Sequence, residues 1–285
     1  MIGNSVKLLA RRLAEHNIAE PIAVILAEDC FGLNQTMAHL TGLGFSQIVV
    51  LSDKPESIEQ AALHDNAIVG VVFDPLPSVE MLMNSIIPIL KNRWLHFCYN
   101  GEFLFFPYSE HRSVSDVIAF SQEERRNSIF GYTIDLYHDQ FPTSTDSIDR
   151  ENVFFDSAGY FGESSTGPTE VGQIVNVFGG LRWRYSQHLL HNRANINRVC
   201  LFKAVSDLNM TEDGNFNLPE YNTISSGWHR SVTMAVMSFR AAKALATNPL
   251  SKTEAASLRW KMSERFDWTS RQLMEAGFIE TGQWF

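Results

Sequence analysis

Short, uniformly apolar segments alternate with segments of helical periodicity through the N-terminal third of the chain. IAVILA (22–27), SQIVVLSD (46–53) and AIVGVVFD (67–74) have the length and apolar character of buried strands. WLHFCYNGEFLFFP (94–107) predicts a fourth strand and a turn. Because strands that alternate with helices pair in parallel through crossover connections, the sequence predicts an α/β fold.

Acidic residues stand at the ends of the first three predicted strands. Asp29 follows the first strand, Asp53 ends the second and Asp74 ends the third. Ligands of open α/β sheets bind at the carboxyl ends of strands, so these carboxylates are candidate ligand contacts. The alternative is that each Asp caps the helix that follows it.

The charge of the chain is unevenly distributed. Its net charge of −9 argues against general nucleic-acid binding, which needs clustered Lys and Arg. No acidic residue lies between Glu170 and Asp207, a stretch that contains Arg182, Arg184 and Arg198. Arginines near a Gly-Gly pair match phosphate oxygens, which predicts a phosphorylated ligand. The alternative is a solvated basic face balanced by acidic residues from elsewhere in the chain.

A further carboxylate candidate lies in the fourth strand segment. Glu102 is flanked by the apolar sequences WLHFC and LFFP. A carboxylate between two apolar walls at the edge of a sheet is a candidate base, nucleophile or metal ligand. The alternative is a structural Glu that hydrogen-bonds the turn.

The C-terminal half predicts fewer regular elements. SIFGYTIDLYHD (128–139) alternates like a strand, and Thr233–Ala246 and Glu254–Glu275 have helical periodicity. The predicted organisation is one domain over residues 1–250 with a helical extension over 251–285 packed on it. Dimerisation through that extension, giving a homodimer, is the alternative.

Cysteine usage and the length of apolar runs bear on the compartment. Cys30, Cys98 and Cys200 are odd in number and lack the spacing of a zinc site, which favours a reducing compartment such as the cytoplasm. The apolar runs fall short of the roughly 18 residues that a membrane span needs. The sequence therefore predicts no transmembrane segment.

A series of short motifs follows one another along the chain. They are AVILAEDC, HLTGLGF with His39, IVVLSD, WLHFCYNGEFLFFP, TIDLYHD, FFDSAGYF, FGGLRWR, NRVCLFKA and SSGWHRS. Their order resembles that of the bacterial family-2-like glycosyltransferases with the GT-A fold. The resemblance extends from about Ile22 to Leu245, and it rests on the order of the motifs rather than on any one of them.

The resemblance implies a GT-A-like nucleotide-sugar-binding domain with a mostly parallel central sheet and flanking helices. It implies that Asp29 and Asp53 contact the base and ribose of a nucleotide-sugar donor. The partners would be that donor and a glycan or lipid-linked acceptor, with no nucleic acid. The expected compartment is the cytoplasm, and a lipid-linked or surface-polysaccharide acceptor would place the protein at the periphery of the inner membrane face.

The family's Asp-x-Asp pair, which holds a divalent metal, is replaced in this chain. Tyr99 and Gly101 stand where the two Asp residues are expected, and Asn100 between them offers one amide oxygen. Mn²⁺ and Mg²⁺ prefer carboxylate oxygens and water. Two interpretations stay open: a glycosyltransferase that works without a tightly held divalent cation, and a non-catalytic binding protein of the same fold.

The resemblance assigns roles to specific residues under the first interpretation. The donor-binding residues would be Asp29, Asp53, Asn100, Arg182, Arg184 and Arg198, with the arginines on the diphosphate. The catalytic residues would be Glu102, Asp135 and His229, and a purely structural histidine is the alternative for the last.

Overall fold

The computed structural model describes residues 2–15, 20–61, 68–140, 146–163, 176–189, 195–223, 231–251 and 257–284. Its strands are β1 Ile22–Ala27, β2 Gln47–Ser52, β3 Ile68–Val72, β4 Trp94–Tyr99, β5 Glu102–Phe105, β6 Ser128–Tyr137, β7 Phe154–Asp156, β8 Phe161–Glu163, β9 Asn176–Phe178, β10 Asn197–Lys203, β11 Met234–Ser238 and β12 Ser263–Arg265. Its α-helices are α1 Ile2–Glu15, α2 Leu33–Gly42, α3 Pro55–Ala61, α4 Val79–Ile86, α5 Val114–Glu123, α6 Gly180–Arg184, α7 Arg240–Thr247 and α8 Ser270–Glu275. Short 3-10 helices cover Arg150–Asn152 and Pro219–Asn222.

The chain forms two compact units that interleave along the sequence. Unit 1 consists of Met1–Gly101, His111–Ile129 and Val199–Asn222, and unit 2 of Glu102–Glu110, Phe130–Arg198 and Thr223–Phe285. The boundary expected near residue 250 falls within the last segment of unit 2. Within the described residues of the C-terminal segment, β12 and α8 both belong to unit 2.

Unit 1 is built on a parallel sheet in the strand order β4-β1-β2-β3. Every residue of β1 and β2 is buried, as expected for parallel strands covered on both faces. The end of β10 pairs antiparallel with β4, with Phe202 opposite Leu95. The predicted α/β architecture with crossover-connected parallel strands is therefore confirmed in unit 1.

Side chains of α1 and α4 tie these helices to other parts of unit 1. Ser5 of α1 donates a hydrogen bond from its hydroxyl to the Val72 carbonyl of β3 at 3.1 Å. Asn84 of α4 bonds both backbone groups of Met210, accepting from the nitrogen at 2.7 Å and donating to the oxygen at 3.0 Å. A side-chain amide suits this role because it carries both a donor and an acceptor.

Unit 2 contains a mixed sheet. β11 pairs antiparallel with β5 and parallel with β6, β7 pairs antiparallel with β6, and β12 pairs antiparallel with β7. β8 and β9 form a separate antiparallel pair. The expectation of a mostly parallel sheet is therefore correct for unit 1 and wrong for unit 2.

The C-terminal helices predicted from periodicity are only partly present. Met234–Ser238, inside the helix predicted over Thr233–Ala246, is the strand β11, and all five of its residues are buried. A short segment that is apolar on both faces has no periodicity that separates a buried strand from a buried helix. The single helix predicted over Glu254–Glu275 is also wrong for the described residues, where β12 precedes the short helix α8.

Aromatic side chains account for much of the packing in unit 2. Phe266 makes edge-on contacts with Phe105 and Phe155, at centroid distances of 5.4 and 5.8 Å. Phe278 contacts both Phe155 and Tyr160 in the same manner. Edge-to-face pairs of this kind are favourable beyond the area they bury, so they anchor the C-terminal segment within the unit.

None of the helices in the described residues combines the length and the apolar character that crossing a membrane demands.

Candidate functional site

The carboxyl ends of β1 and β4 meet at the point where the strand order of unit 1 reverses. The chain proceeds from β1 outward to β2 and β3, and then returns to the other side of β1 to form β4. Asp29 lies two residues beyond β1, and Asn100 immediately follows β4. Open α/β sheets bind ligands at such a reversal point, so these two side chains mark the candidate site of unit 1.

Asn100 is fully buried and ties the two strand ends together. Its amide oxygen accepts the Glu28 backbone N–H at 2.9 Å. Its amide nitrogen donates to Oδ1 of Asp29 at 2.6 Å and to the Phe31 carbonyl at 2.9 Å. The Phe31 backbone N–H also donates to Oδ1 of Asp29, at 3.0 Å. Two donors on one oxygen hold the Asp29 carboxylate in a fixed orientation.

Asp53 occupies the corresponding place on the neighbouring strand. The last pair in the β1–β2 register is Ala27 with Ser52, and the Ser52 hydroxyl donates to the Ala27 carbonyl at 2.6 Å. The Asp53 side chain follows directly and is 34% exposed. Asp74, beyond the edge strand β3, is exposed. Asp29 and Asp53 thus stand at adjacent strand ends, as the sequence predicts, and Asp74 stands one strand farther away.

The turn after β4 is also fixed to α2. The Gly101 backbone N–H donates to the Thr36 hydroxyl at 2.9 Å, and Thr36 is fully buried. Gly101 has a φ of 74°, a left-handed conformation in which a glycine avoids the strain of a Cβ atom. The strand end is therefore held by α2 as well as by the loop after β1.

A divalent metal does not fit the residues at this strand end. Tyr99 has no carboxylate, Gly101 has no side chain, and the amide oxygen of Asn100 accepts the Glu28 N–H. Across the described parts of the chain, no three His, Cys, Asp or Glu side chains group as metal ligands. Mn²⁺ or Mg²⁺ would need several oxygen ligands that these positions do not supply. Asn100, a predicted donor contact, donates a hydrogen bond to Asp29 in this structure.

Glu102, a predicted catalytic residue, is buried in unit 2 at the start of β5. One carboxylate oxygen, Oε2, lies 2.9 Å from Nη1 of Arg198, and the other accepts the Ser238 hydroxyl at 2.8 Å. Only 2% of the Glu102 side chain and 9% of the Arg198 side chain are exposed. This arrangement agrees with the structural alternative for Glu102, because both carboxylate oxygens have protein partners.

Asp135, the second predicted catalytic residue, is buried on β6 in unit 2. Nη2 of Arg182 lies 3.1 Å from its Oδ1, close enough for an ion pair although not directed as a hydrogen bond. The Arg182 backbone N–H donates to Oδ2 at 3.3 Å. Burial raises the pKa of Asp135, and the Arg182 charge acts in the opposite direction. Asp135 therefore has the environment of a carboxyl group that holds its proton more readily than usual.

A close backbone approach shapes the surroundings of Asp135. A Cβ atom on Gly180 would lie 2.7 Å from Oδ2 of Asp135 and 3.4 Å from the Tyr160 hydroxyl. Gly180 also has a φ of 64°. Among the described residues, the buried Tyr160 hydroxyl has no hydrogen-bond partner, and burial raises its pKa. Only glycine fits this position without displacing the carboxylate.

Asp156 is the centre of a third buried group in unit 2, which the sequence did not single out. It accepts hydrogen bonds from the Tyr137 hydroxyl, from Nη1 of Arg184 at 3.0 Å and from the Trp260 indole at 2.7 Å. Arg184 also donates to the Leu258 carbonyl at 2.6 Å. The FFDSAGYF motif contains Asp156, and the only sequence signal was an acidic residue at the end of an aromatic strand.

The three predicted diphosphate-binding arginines share one property. Arg182, Arg184 and Arg198 are each paired with a buried carboxylate of the same unit, and their side chains are 15%, 11% and 9% exposed. These three arginines of the acid-free stretch are therefore balanced by acidic residues from distant positions, but they are largely buried and do not form the solvated basic face of the alternative interpretation. His229, the remaining predicted catalytic residue, lies outside the described residues.

The comparison with known proteins adds no family assignment. The chain matches no protein-family model, and no curated protein is significantly similar to it in sequence.

Proposed function

We propose that this chain is a glycosyltransferase whose nucleotide-sugar donor is bound, at its nucleoside end, by the carboxyl edge of the unit 1 sheet. The observation that carries the proposal is the Asp29–Asn100 pair at the reversal point between β1 and β4. A GT-A-like fold is part of the same proposal, and it rests on the parallel sheet of unit 1 and on the order of the motifs.

The charge at this edge suits a nucleoside better than a phosphate. Asp29 and Asp53 are carboxylates at adjacent strand ends, and carboxylates accept hydrogen bonds from hydroxyl and N–H donors. The ribose diol and the N–H groups of a base are such donors. A phosphate would meet like charge at this edge, so the nucleoside is the part of the donor that these residues would hold.

Transfer of a sugar joins an acceptor hydroxyl oxygen to the anomeric carbon and breaks the bond to the diphosphate. The acceptor proton must pass to a base, and the negative charge that develops on the leaving diphosphate must be stabilised. Asp135 and Glu102 are the proposed bases. The resemblance adds His229 as a third proposed catalytic residue. Because arginine carries five N–H donors, an arginine in an ion pair retains donors for a phosphate.

A specific observation favours the second candidate, a non-catalytic protein that binds nucleotide sugars. Arg182, Arg184 and Arg198 are all paired and largely buried, which reduces the positive charge available to a diphosphate. Glu102 likewise has a protein partner on each carboxylate oxygen. These ion pairs are explained by stabilisation of unit 2 alone, without any catalytic role for the residues.

Calorimetric titration with a panel of nucleotides and nucleotide sugars, with and without EDTA, tests the nucleoside site. Asp29→Ala and Asp53→Ala should each weaken binding about tenfold or more, the effect of losing a charge-assisted hydrogen bond. Asp74→Ala is the matched control, because Asp74 follows the parallel edge strand β3 of the same sheet at a distance from the reversal point. Absence of nucleotide binding by the folded protein would contradict the proposal.

Donor turnover separates the enzyme from the binding protein. If the chain is a transferase, release of nucleoside diphosphate should fall by at least about a hundredfold in Asp135→Asn, the usual contribution of a general base. Nucleotide binding without turnover under any acceptor would favour the non-catalytic candidate. Arg182→Ala and Arg184→Ala should weaken diphosphate binding if these arginines hold it, and unchanged affinity would remove that assignment.

A further inference from the structure

Unit 2 contains a cavity of about 510 Å³ that has no role in the proposed nucleoside site. It lies beyond the end of β6 and beside the 3-10 helix Arg150–Asn152. The residues that line it are His138, Asp139, Gln140, Ser147, Asp149, Asn152, Phe154 and Arg259. Its volume falls within the range of small-molecule sites in proteins, and every lining residue named here except Phe154 carries a polar or charged side chain.

The described residues of the lining carry a negative net charge. Asp139 and Asp149 contribute two carboxylates and Arg259 one guanidinium. Burial lowers the pKa of His138, which favours its neutral form. A lining with one more carboxylate than cation disfavours phosphate and carboxylate ligands and accepts neutral ones.

Two side chains of the lining have hydrogen-bonding capacity that the described residues do not use. The Gln140 amide and the Arg259 guanidinium make no hydrogen bond within the described part of the chain. Arg259 is held instead by stacking on Phe154, with its Cζ atom 4.5 Å from the ring centroid. Stacking occupies the face of the guanidinium and leaves its in-plane N–H donors available to a ligand.

Other members of the lining are fixed by contacts within unit 2. Asn152 donates its amide to Asp149, and Oδ1 of Asp139 accepts the Ser257 hydroxyl at 2.6 Å. The His138 ring stacks on Phe239, and its Nε2 lies 3.3 Å from the Asp149 carbonyl. The cavity therefore has a preorganised wall, which reduces the cost of ordering side chains when a ligand binds.

We propose that this cavity binds a neutral saccharide unit. A sugar hydroxyl donates one hydrogen bond and accepts others, and the wall offers carboxylate acceptors, guanidinium donors and amides that do both. The described lining has no excess of positive charge, so it favours a neutral saccharide over a nucleotide or a sugar phosphate. That the saccharide belongs to a glycan acceptor rests on the proposed function, whereas binding of the saccharide does not.

Saturation-transfer NMR with a panel of neutral methyl glycosides and their disaccharides, in the absence of nucleotide, tests the proposal. At least one compound should bind. Gln140→Ala and Arg259→Lys should each weaken its binding about fivefold, the effect of losing roughly one hydrogen bond. Arg271→Ala is the matched control, since Arg271 is an exposed arginine of the same unit paired with Glu275, and it should leave the affinity unchanged.

Three results would overturn the proposal. They are no binding of any glycoside by folded protein, binding that neither cavity variant changes, and tighter binding of a 6-phosphate sugar than of its neutral parent. Asp29→Ala should leave glycoside binding unaltered, so failure of the nucleoside site and failure of the saccharide site are observed separately.

Discussion

The amide nitrogen of Asn100 lies 2.6 Å from Oδ1 of Asp29 and joins the carboxyl ends of β4 and β1. Asn100 stands where the resembled family carries metal-binding acids. Here it donates hydrogen bonds to the loop after β1. The amide neutralises no charge, but it fixes the direction of one carboxylate at the reversal point of the sheet. A neutral side chain suits this place, because the carboxylate beside it would repel a second one.

Asn100→Asp should destabilise unit 1 by about 3 kcal/mol at neutral pH, because it removes the donors to Asp29 and Phe31 and introduces a like charge. Two carboxylates in such contact do not both ionise easily, so their shared pKa is raised above the unfolded value. The variant's loss of stability relative to the wild type should therefore be smallest at low pH and grow as the pH rises from about 4 to 7. Urea unfolding over this pH range measures the effect.

The control for this variant is Asn84→Asp. Asn84 also bonds a backbone donor and a backbone acceptor in unit 1, at Met210. Its replacement should cost about 1–2 kcal/mol for one lost donor. A steeper pH dependence for Asn84→Asp than for Asn100→Asp would contradict the role given to Asp29.

Gly180→Ala should destabilise unit 2 by about 2–4 kcal/mol, since it combines a left-handed φ with a contact of 2.7 Å between the new Cβ and Oδ2 of Asp135. Gly277→Ala shares the positive φ, at 77°, but its Cβ would meet nothing within 4 Å. It should cost only about 1 kcal/mol. Thermal unfolding of both variants gives the difference, and equal losses would show that the approach to Asp135 has no energetic effect.

Asp156→Asn should cost about 3–5 kcal/mol of stability, because it leaves the Arg184 charge without its carboxylate partner at a largely buried position. Tyr137→Phe removes a hydroxyl that bonds the same Asp156 and should cost about 1 kcal/mol. Urea denaturation distinguishes the two. A similar loss in both variants would mean that the charge of Asp156 contributes little.

His138 should make the stability of unit 2 depend on pH below neutrality. Burial lowers its folded-state pKa beneath the unfolded value, so its contribution is fully present above about pH 6.5 and lost as the pH falls through the folded-state pKa. Wild-type protein should lose more stability between about pH 7 and 5 than His138→Gln does. Parallel pH profiles for the two proteins would refute this.

The matched variant is His111→Gln, at an exposed position of unit 1. Because this side chain is exposed, its replacement should change the stability by no more than about 0.5 kcal/mol across the pH range. Circular dichroism at each pH confirms that the variants start from folded protein.

The sequence predicts the edge at Asp29 and Asp53 well because that edge depends on local patterns. Six-residue apolar strands followed by acidic turns determine both the parallel pairing and the position of the carboxylates. The role of Asn100 could not be predicted, because its partners lie 69 to 72 positions away in the chain.

The pairing of the basic stretch was not predictable for the same reason. Arg198 meets Glu102 from 96 positions away, and Arg182 meets Asp135 from 47 positions away. Counting the charged residues within one stretch of sequence does not identify partners that lie far away in the chain. The prediction of a long C-terminal helix was wrong for another reason. The Trp260 side chain bonds Asp156, and the segment Ser263–Arg265 pairs as a strand with β7.

The interleaving of the two units has a consequence for how the protein is made. The chain passes from one unit to the other after Gly101, Glu110, Ile129, Arg198 and Asn222. Unit 1 therefore lacks its last segment until residue 222 has left the ribosome, when most of unit 2 has already been synthesised. Unit 1 therefore cannot be completed before the first two segments of unit 2 have been synthesised, and a contiguous fragment that isolates either unit intact does not exist.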